Sequence, residues 1–268
     1  MLVYLLNDSQ LVRLKSTMFT FQSSLVYHDA YNTLKTVIIN VFRPLQIISF
    51  LCLLSVCHAN YAETLPVESF DEIAVNTFWD ELYANGGWSL YCGYRFDPSA
   101  ALTEDRLFVI EQIYPASWML KHMKCDSRRQ CRLNEKSRFT RMEADMHNLY
   151  PVWQAVDVAR RNSSFGMIDG EDWRYQNCDF ERNHDITEPR PIARGNIARA
   201  IFYMHTQYGV PVAKDMLDEL KRWNRLDPPS NQEILRNNLI EELQGNRNTY
   251  IDNPTQAEQI LTKWLAEE

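Results

Sequence analysis

The sequence predicts an α+β fold: helices around a small antiparallel sheet, in one domain that starts near residue 60. Three observations carry this. Two short runs rich in aromatic and β-branched residues, 88–96 and 106–114, read as strands. Several longer stretches before and after them repeat their apolar residues at helical spacing. A chain of 268 residues with 45% hydrophobic and 12% aromatic residues can bury a full core.

Residues 69–83 (SFDEIAVNTFWDELY) place Phe70, Ile73, Ala74, Phe78, Leu82 and Tyr83 near helical spacing. Ser69 is a natural N-cap, and Asp71 and Glu72 suit the first turn. Asn85-Gly86-Gly87 ends this helix, and 88–96 (WSLYCGYRF) follows as a strand. The second strand, 106–114 (RLFVIEQIY), stops at Pro115; Glu111 and Gln112 interrupt its apolar run, so they either face water at an edge or are held for a purpose. A basic loop comes next, then 150–161 with Trp153, Val156 and a double arginine. Residues 166–180 read as a loop and 188–191 (EPRP) as a stiff turn. A buried helix is expected at 194–204, with Ile197, Ile201, Met204 and Tyr208 on one face; of its arginines, Arg194 and Arg199 suit phosphate contacts or ion pairs, and Arg199 favours the structural role. Helices at 213–223, 231–243 and 257–266 close the chain, with an amide-rich turn at 244–248.

Residues 1–59 differ in kind. Residues 45–56 (LQIISFLCLLSV) are apolar except for Gln46, Ser49 and Ser55, with Lys35 and Arg43 ahead and Cys57-His58-Ala59 behind. A basic flank, an apolar run of this length and a small residue at its end describe a secretory signal peptide, too short to span a bilayer. Cleavage after Ala59 or Ala62 fits, leaving 60–268 as a domain exported to the periplasm or secreted, without membrane attachment. The long extension ahead of the run points to a true start nearer Val37 or Val41.

Loss of the leader's four basic and two acidic residues moves the net charge from −7 to −9. Global charge therefore argues mildly against polyanion binding. Locally the balance reverses: 121–141 hold Lys121, Lys124, Arg128, Arg129, Arg132, Lys136, Arg138 and Arg141 against only Asp126 and Glu135. This stripe reads equally as a solvated surface or as an anion site. Cys92, Cys125, Cys131 and Cys178 remain after the leader, and an even number in an exported chain reads as disulfides. Of the three connectivities, Cys125–Cys131 with Cys92–Cys178 is preferred, since the first pair closes a short loop; a zinc site would need closer ligand pairs.

The densest polar stretch is 139–151 (FTRMEADMHNLYP). If 141–149 is helical, Glu143 and His147 share a face. On its own this is a solvated helix turn with one Glu–His pair. Its neighbours give it a context. LYCG (90–93), IEQIYPA (110–116), the cysteine loop 125–131, MEADMHNL (142–149), RGNIAR (194–199), FYM (202–204) and QGNRN (244–248) follow in order. Over about residues 70–254 this order resembles the bacterial endonuclease I family of exported, non-specific nucleases.

The resemblance implies a ββα-metal nuclease core and hydrolysis of phosphodiester bonds in DNA, with RNA as a further substrate, through backbone contacts that read no bases. It also implies a monomer with one divalent cation, Mg2+ foremost and Mn2+ or Ca2+ as alternatives. In the family a Glu-His pair ends the second strand; the Glu holds the metal, the His takes a proton from water, and an Asn on the next helix is the other protein ligand. Carried over, Glu111 and Asp157 are the metal ligands, Asp157 keeping an oxygen donor and adding a charge. Gln112 stands where the histidine is expected. Arg128, and less closely Arg129, stands near a phosphate-holding arginine. Glu143, Asp145, His147 and Asn148 are implied to support the site. A carboxamide cannot accept a proton near neutral pH, and loss of a general base costs about 10²- to 10⁴-fold in rate. The readings are thus a weak nuclease, a nuclease with His147 as stand-in base, or an impaired homologue that binds nucleic acid or a protein partner.

Overall fold

Ser69 caps the first helix: its hydroxyl accepts from the Glu72 amide at 3.3 Å, and the Glu72 carboxylate accepts from the Ser69 amide at 2.7 Å. From α1 (Phe70–Glu72) the chain runs on as a π-helix over Ile73–Leu82. Buried Ile73, Phe78 and Leu82 are spaced five and four residues apart, which suits the wider i→i+5 turn. The computed structural model describes residues 69–97, 107–134, 136–175 and 177–260, all within the unit Leu65–Glu268. The expected signal peptide lies outside the described residues. So do Arg106, at the start of the second expected strand, and most of the expected helix 257–266, whose described start falls in the 3-10 helix Pro254–Gln259.

Residues 88–96 are a hairpin, not one strand. β1 (Gly87–Trp88) pairs antiparallel with β2 (Arg95–Phe96). Between them the Ser89 amide donates to the Tyr94 carbonyl at 2.8 Å and the Gly93 amide to the Ser89 carbonyl at 2.8 Å. Gly93 has a φ of +66°, and a Cβ there would strike the Arg190 guanidinium. Cys92 in this turn is bonded to Cys178, 86 residues away, which restricts the unfolded chain by about 4–5 kcal/mol. The second expected disulfide, Cys125–Cys131, is also formed.

β3 (Phe108–Gln112) pairs antiparallel with β4 (Leu149–Trp153), Glu111 opposite Tyr150 and Gln112 opposite Leu149. The intervening chain folds as α2 (Ala116–His122), α3 (Arg128–Asn134) and α4 (Lys136–Ala144). The basic loop is therefore helical, as its Arg, Lys, Gln and Leu content favours. The helix expected to reach 149 ends at Ala144, because Asp145 turns out of it and its carboxylate accepts from the His147 amide at 2.9 Å. That caps a 3-10 turn, Met146–Asn148, so Glu143 and His147 share no helix face. α5 (Gln154–Arg160) starts directly after β4, completing a strand–strand–helix unit. Pro151, which lacks a donor, still accepts from the Leu90 amide at 2.9 Å, so the hairpin turn covers its edge.

β5 (Ser164–Phe165), β6 (Phe180–Arg182) and β7 (Ile186–Pro189) form a separate sheet in the order β5-β7-β6, with β5 and β7 parallel. The sheets are thus small and separate, one of them mixed. The expected turn at 188–191 is divided: Glu188 and Pro189 belong to β7, and Pro191 opens α6 (Pro191–Tyr208). In α6 the predicted face is fully buried at Ile197, Ile201 and Met204 and half-buried at Tyr208, and Ala193, Ala198 and Phe202 are fully buried around the helix. α7 (Lys214–Leu226) packs against it with Trp223 fully buried. α8 (Asn231–Gln244), capped by Ser230, ends at Gly245 with φ +85° and leads into α9 (Thr249–Asp252). Among the described residues no helix is long and apolar enough to cross a membrane.

Candidate active site

The end of β3, the start of α3 and the last turn of α5 converge on a cleft of about 560 Å³. Glu111, Gln112, Arg128 and Asp157, from three separate parts of the sequence, all line it, with Arg161 and Asn162 beyond α5. Glu111 and Gln112 are buried, whereas Asp157 is half-buried.

The Glu111 carboxylate accepts from the Tyr91 hydroxyl at 2.9 Å and from Arg160, and the Asp157 carboxyl lines the same cleft. Burial pushes Glu111 up to about 7; the Arg160 charge opposes this and Asp157 adds to it. Neighbouring carboxylates repel each other, and a cation between them relieves this. Hard oxygen donors, one buried and both facing an open cleft, fit a divalent ion of the Mg2+ type.

Arg160 and Tyr91 were not legible as site residues. The fully buried Arg160 guanidinium also donates to the Gln112 carbonyl at 3.1 Å and the Ile113 carbonyl at 2.8 Å, and lies 4.3 Å above the Phe165 ring. It straps α5 to the end of β3 and so sets Asp157 beside Glu111. The available signals were the double arginine closing α5 and the tyrosine inside LYCG.

Gln112 donates through Nε2 to the Glu143 carbonyl at 2.7 Å and accepts through Oε1 from Arg128 at 3.2 Å. A carbonyl on one side and a guanidinium on the other fix which way the amide points. The group therefore holds Arg128 in the cleft wall, where Arg128 also lies 5.9 Å from the Phe70 ring. Of the basic stripe, Arg132 is engaged elsewhere, at 2.5 Å from Glu143 and 3.6 Å from Asp71.

The other residues of the 143–148 stretch stand behind the cleft. Asn148 clasps Tyr114, accepting from its amide at 2.7 Å and donating to its carbonyl at 3.0 Å, which fixes the chain after β3. Asp145 accepts from Tyr203 and Tyr208 at 2.7 Å each and from Gln244 at 2.9 Å. His147 is buried, packs 4.6 Å from the Tyr203 ring and has Nε2 3.2 Å from the Asn246 carbonyl. It does not line the cleft.

Burial pulls the His147 pKa down to about 4, so the folded state binds its proton less readily than the unfolded chain, near 6.5. The contribution is fully present above pH 6.5 and is lost as pH falls toward 4. The unfolding free energy is expected to drop by about 3 kcal/mol over that window. Denaturant titrations from pH 4 to 7.5 on wild type and His147→Gln check this: the variant should lack that part of the slope, and equal slopes would refute it.

A sequence profile described as Endonuclease I matches residues 81–255. The chain belongs to the endonuclease I family. It is 34% identical over 173 residues to an extracellular deoxyribonuclease of Aeromonas hydrophila, covering 62% of this chain and 74% of the relative. A periplasmic deoxyribonuclease of the same organism matches at 34% over 173 residues, 62% of this chain and 70% of its own length. An extracellular ribonuclease of Bacillus amyloliquefaciens matches at 32% over 134 residues, 43% of this chain and 46% of its own length. The match bears out the resemblance read from the seven motifs, and the helices and small sheets are the α+β architecture expected.

Proposed function

We propose that the protein is an exported, metal-dependent endonuclease that hydrolyses phosphodiester bonds in DNA, and in RNA, without base specificity, as a monomer. The observation that carries this is the Glu111–Asp157 carboxyl pair facing one cleft together with Arg128. Glu111 and Asp157 would hold one divalent cation, Mg2+ in the first place. When bound, such an ion stabilises charge on the phosphate and the leaving oxygen. Arg160 and Tyr91 orient the Glu111 carboxylate, and Arg128 in the cleft wall would bind the substrate phosphate. Gln112 positions Arg128 and takes no proton. The names of the Aeromonas and Bacillus relatives support export and both kinds of nucleic acid.

Purified mature protein incubated with plasmid and Mg2+ should nick and then degrade it. Glu111→Gln is expected to slow this by about 10²-fold or more, the scale of losing an electrostatic stabiliser. Intact plasmid with wild type in Mg2+, Mn2+ and Ca2+ from pH 5 to 9 would refute turnover. A second reading then stands, a homologue that binds nucleic acid without cutting it, favoured by the lack of any imidazole among the described residues lining the cleft. Its signature is a salt-dependent gel shift without cleavage.

A further inference from the structure

We propose a second divalent-cation site, formed by Glu171, Asp179 and Glu181, that takes Ca2+ and is separate from the Glu111–Asp157 cleft. One carboxylate oxygen from each of the three lies within 4.8 Å of the others. Glu181, on β6, is only 4% exposed, and its Oε1 has no hydrogen-bond partner. Among the described residues none of the three makes a salt bridge. The residue facing Glu181 across the sheet is another carboxylate, Glu188, whose own charge is answered by Arg194 at 2.7 Å. A buried carboxyl group with one oxygen unpartnered and no counter-charge, amid like charges, is costly unless a cation joins it. Consistently, burial and the neighbouring Asp179 and Glu171 push Glu181 up to about 7.

The donor set selects the ion. Oxygen-only ligands exclude soft metals. Two ligands drawn from irregular chain, one of them exposed, with a third on a strand suit Ca2+, which accepts six to eight oxygens at about 2.3–2.6 Å in flexible geometry, better than octahedral Mg2+. Oxygens on opposite sides of such an ion stand roughly 5 Å apart, in keeping with the observed spread.

The site also has a place in the fold. Asp179 and Glu181 flank Phe180, whose ring packs 5.4 Å from Tyr91, and Cys178 beside them holds the hairpin turn through Cys92. Tyr91 in turn donates to Glu111. Bound Ca2+ thus fastens the wall behind the cleft.

The test uses calorimetric titration with CaCl2 and thermal unfolding of the mature protein carrying Glu111→Gln and Asp157→Asn, which silences the cleft. One equivalent of Ca2+ should bind, and at a hundredfold excess over Kd the Tm should rise by about 5 °C or more. Adding Glu171→Gln and Asp179→Asn should abolish both effects without lowering the Tm in EDTA. In the wild-type background the same two substitutions should lower the stoichiometry by one. Absence of binding in the cleft variant, or a Tm rise that survives the added substitutions, overturns the proposal. Neither readout involves nucleic-acid cleavage, so the result does not depend on whether the cleft turns over.

Discussion

Gln112→His is expected to raise the rate of plasmid cleavage by about 10²- to 10⁴-fold, the usual worth of a general base. The surroundings of residue 112 are already suited to an imidazole. The Glu143 carbonyl, 2.7 Å from Gln112 Nε2, is an acceptor that would take one ring N–H and fix the tautomer. The other ring nitrogen would then be free to accept a proton from water in the cleft. Glu111 and Asp157 need not move for this, whereas Arg128 loses the amide oxygen that holds it. Single-turnover cleavage with and without the added Glu111→Gln checks the gain. A folded His variant that binds Mg2+ but cleaves no faster would show that the missing base is not what limits the site, and would favour the binding role.

The parts of the site that sequence made legible are those whose chemistry is local. Glu111-Gln112 stood out because polar residues broke an apolar strand, and Asp157 came with the family resemblance. The Cys125–Cys131 pair and the capped first helix were legible for the same reason: a cap and a short loop are decided by neighbours in the chain, whereas Cys92–Cys178 followed only as the pair left over. Arg160 and Tyr91 were not, because what they do depends on contacts 49 and 20 residues away. The helix considered over 141–149 stops before Asp145, whose carboxylate is held by three side-chain donors, from Tyr203, Tyr208 and Gln244, and by the local His147 amide. The hairpin at 88–96 looked like one strand because its alternation is real on both arms; the reversal rests on the positive φ of Gly93 and on a disulfide partner 86 residues on. Of the basic stripe, composition could not say which arginine faces the cleft. That is decided by Gln112, which holds Arg128, and by Glu143, which holds Arg132.

Arg199→Met is expected to destabilise the fold by about 3–5 kcal/mol, lowering the Tm by roughly 6–20 °C. Arg199 and Glu233 have no exposed side-chain area, and they meet through two parallel bonds, Nε to Oε1 at 2.7 Å and Nη2 to Oε2 at 2.5 Å. Nη1 adds the Asn224 side chain at 3.1 Å and the Asp227 carbonyl at 2.8 Å, so one guanidinium joins α6, the end of α7 and the start of α8. Removing it strands the Glu233 carboxylate without a counter-charge, and that stranded charge is the main cost. The paired change Arg199→Met with Glu233→Met should therefore recover most of the loss, because no buried charge remains. A phosphate-contact role for Arg199 makes the opposite forecast: unchanged stability, weaker cleavage and no rescue by the Glu233 substitution. Denaturant titration of the two variants separates these outcomes, and the burial of the pair places the effect on folding rather than on substrate binding.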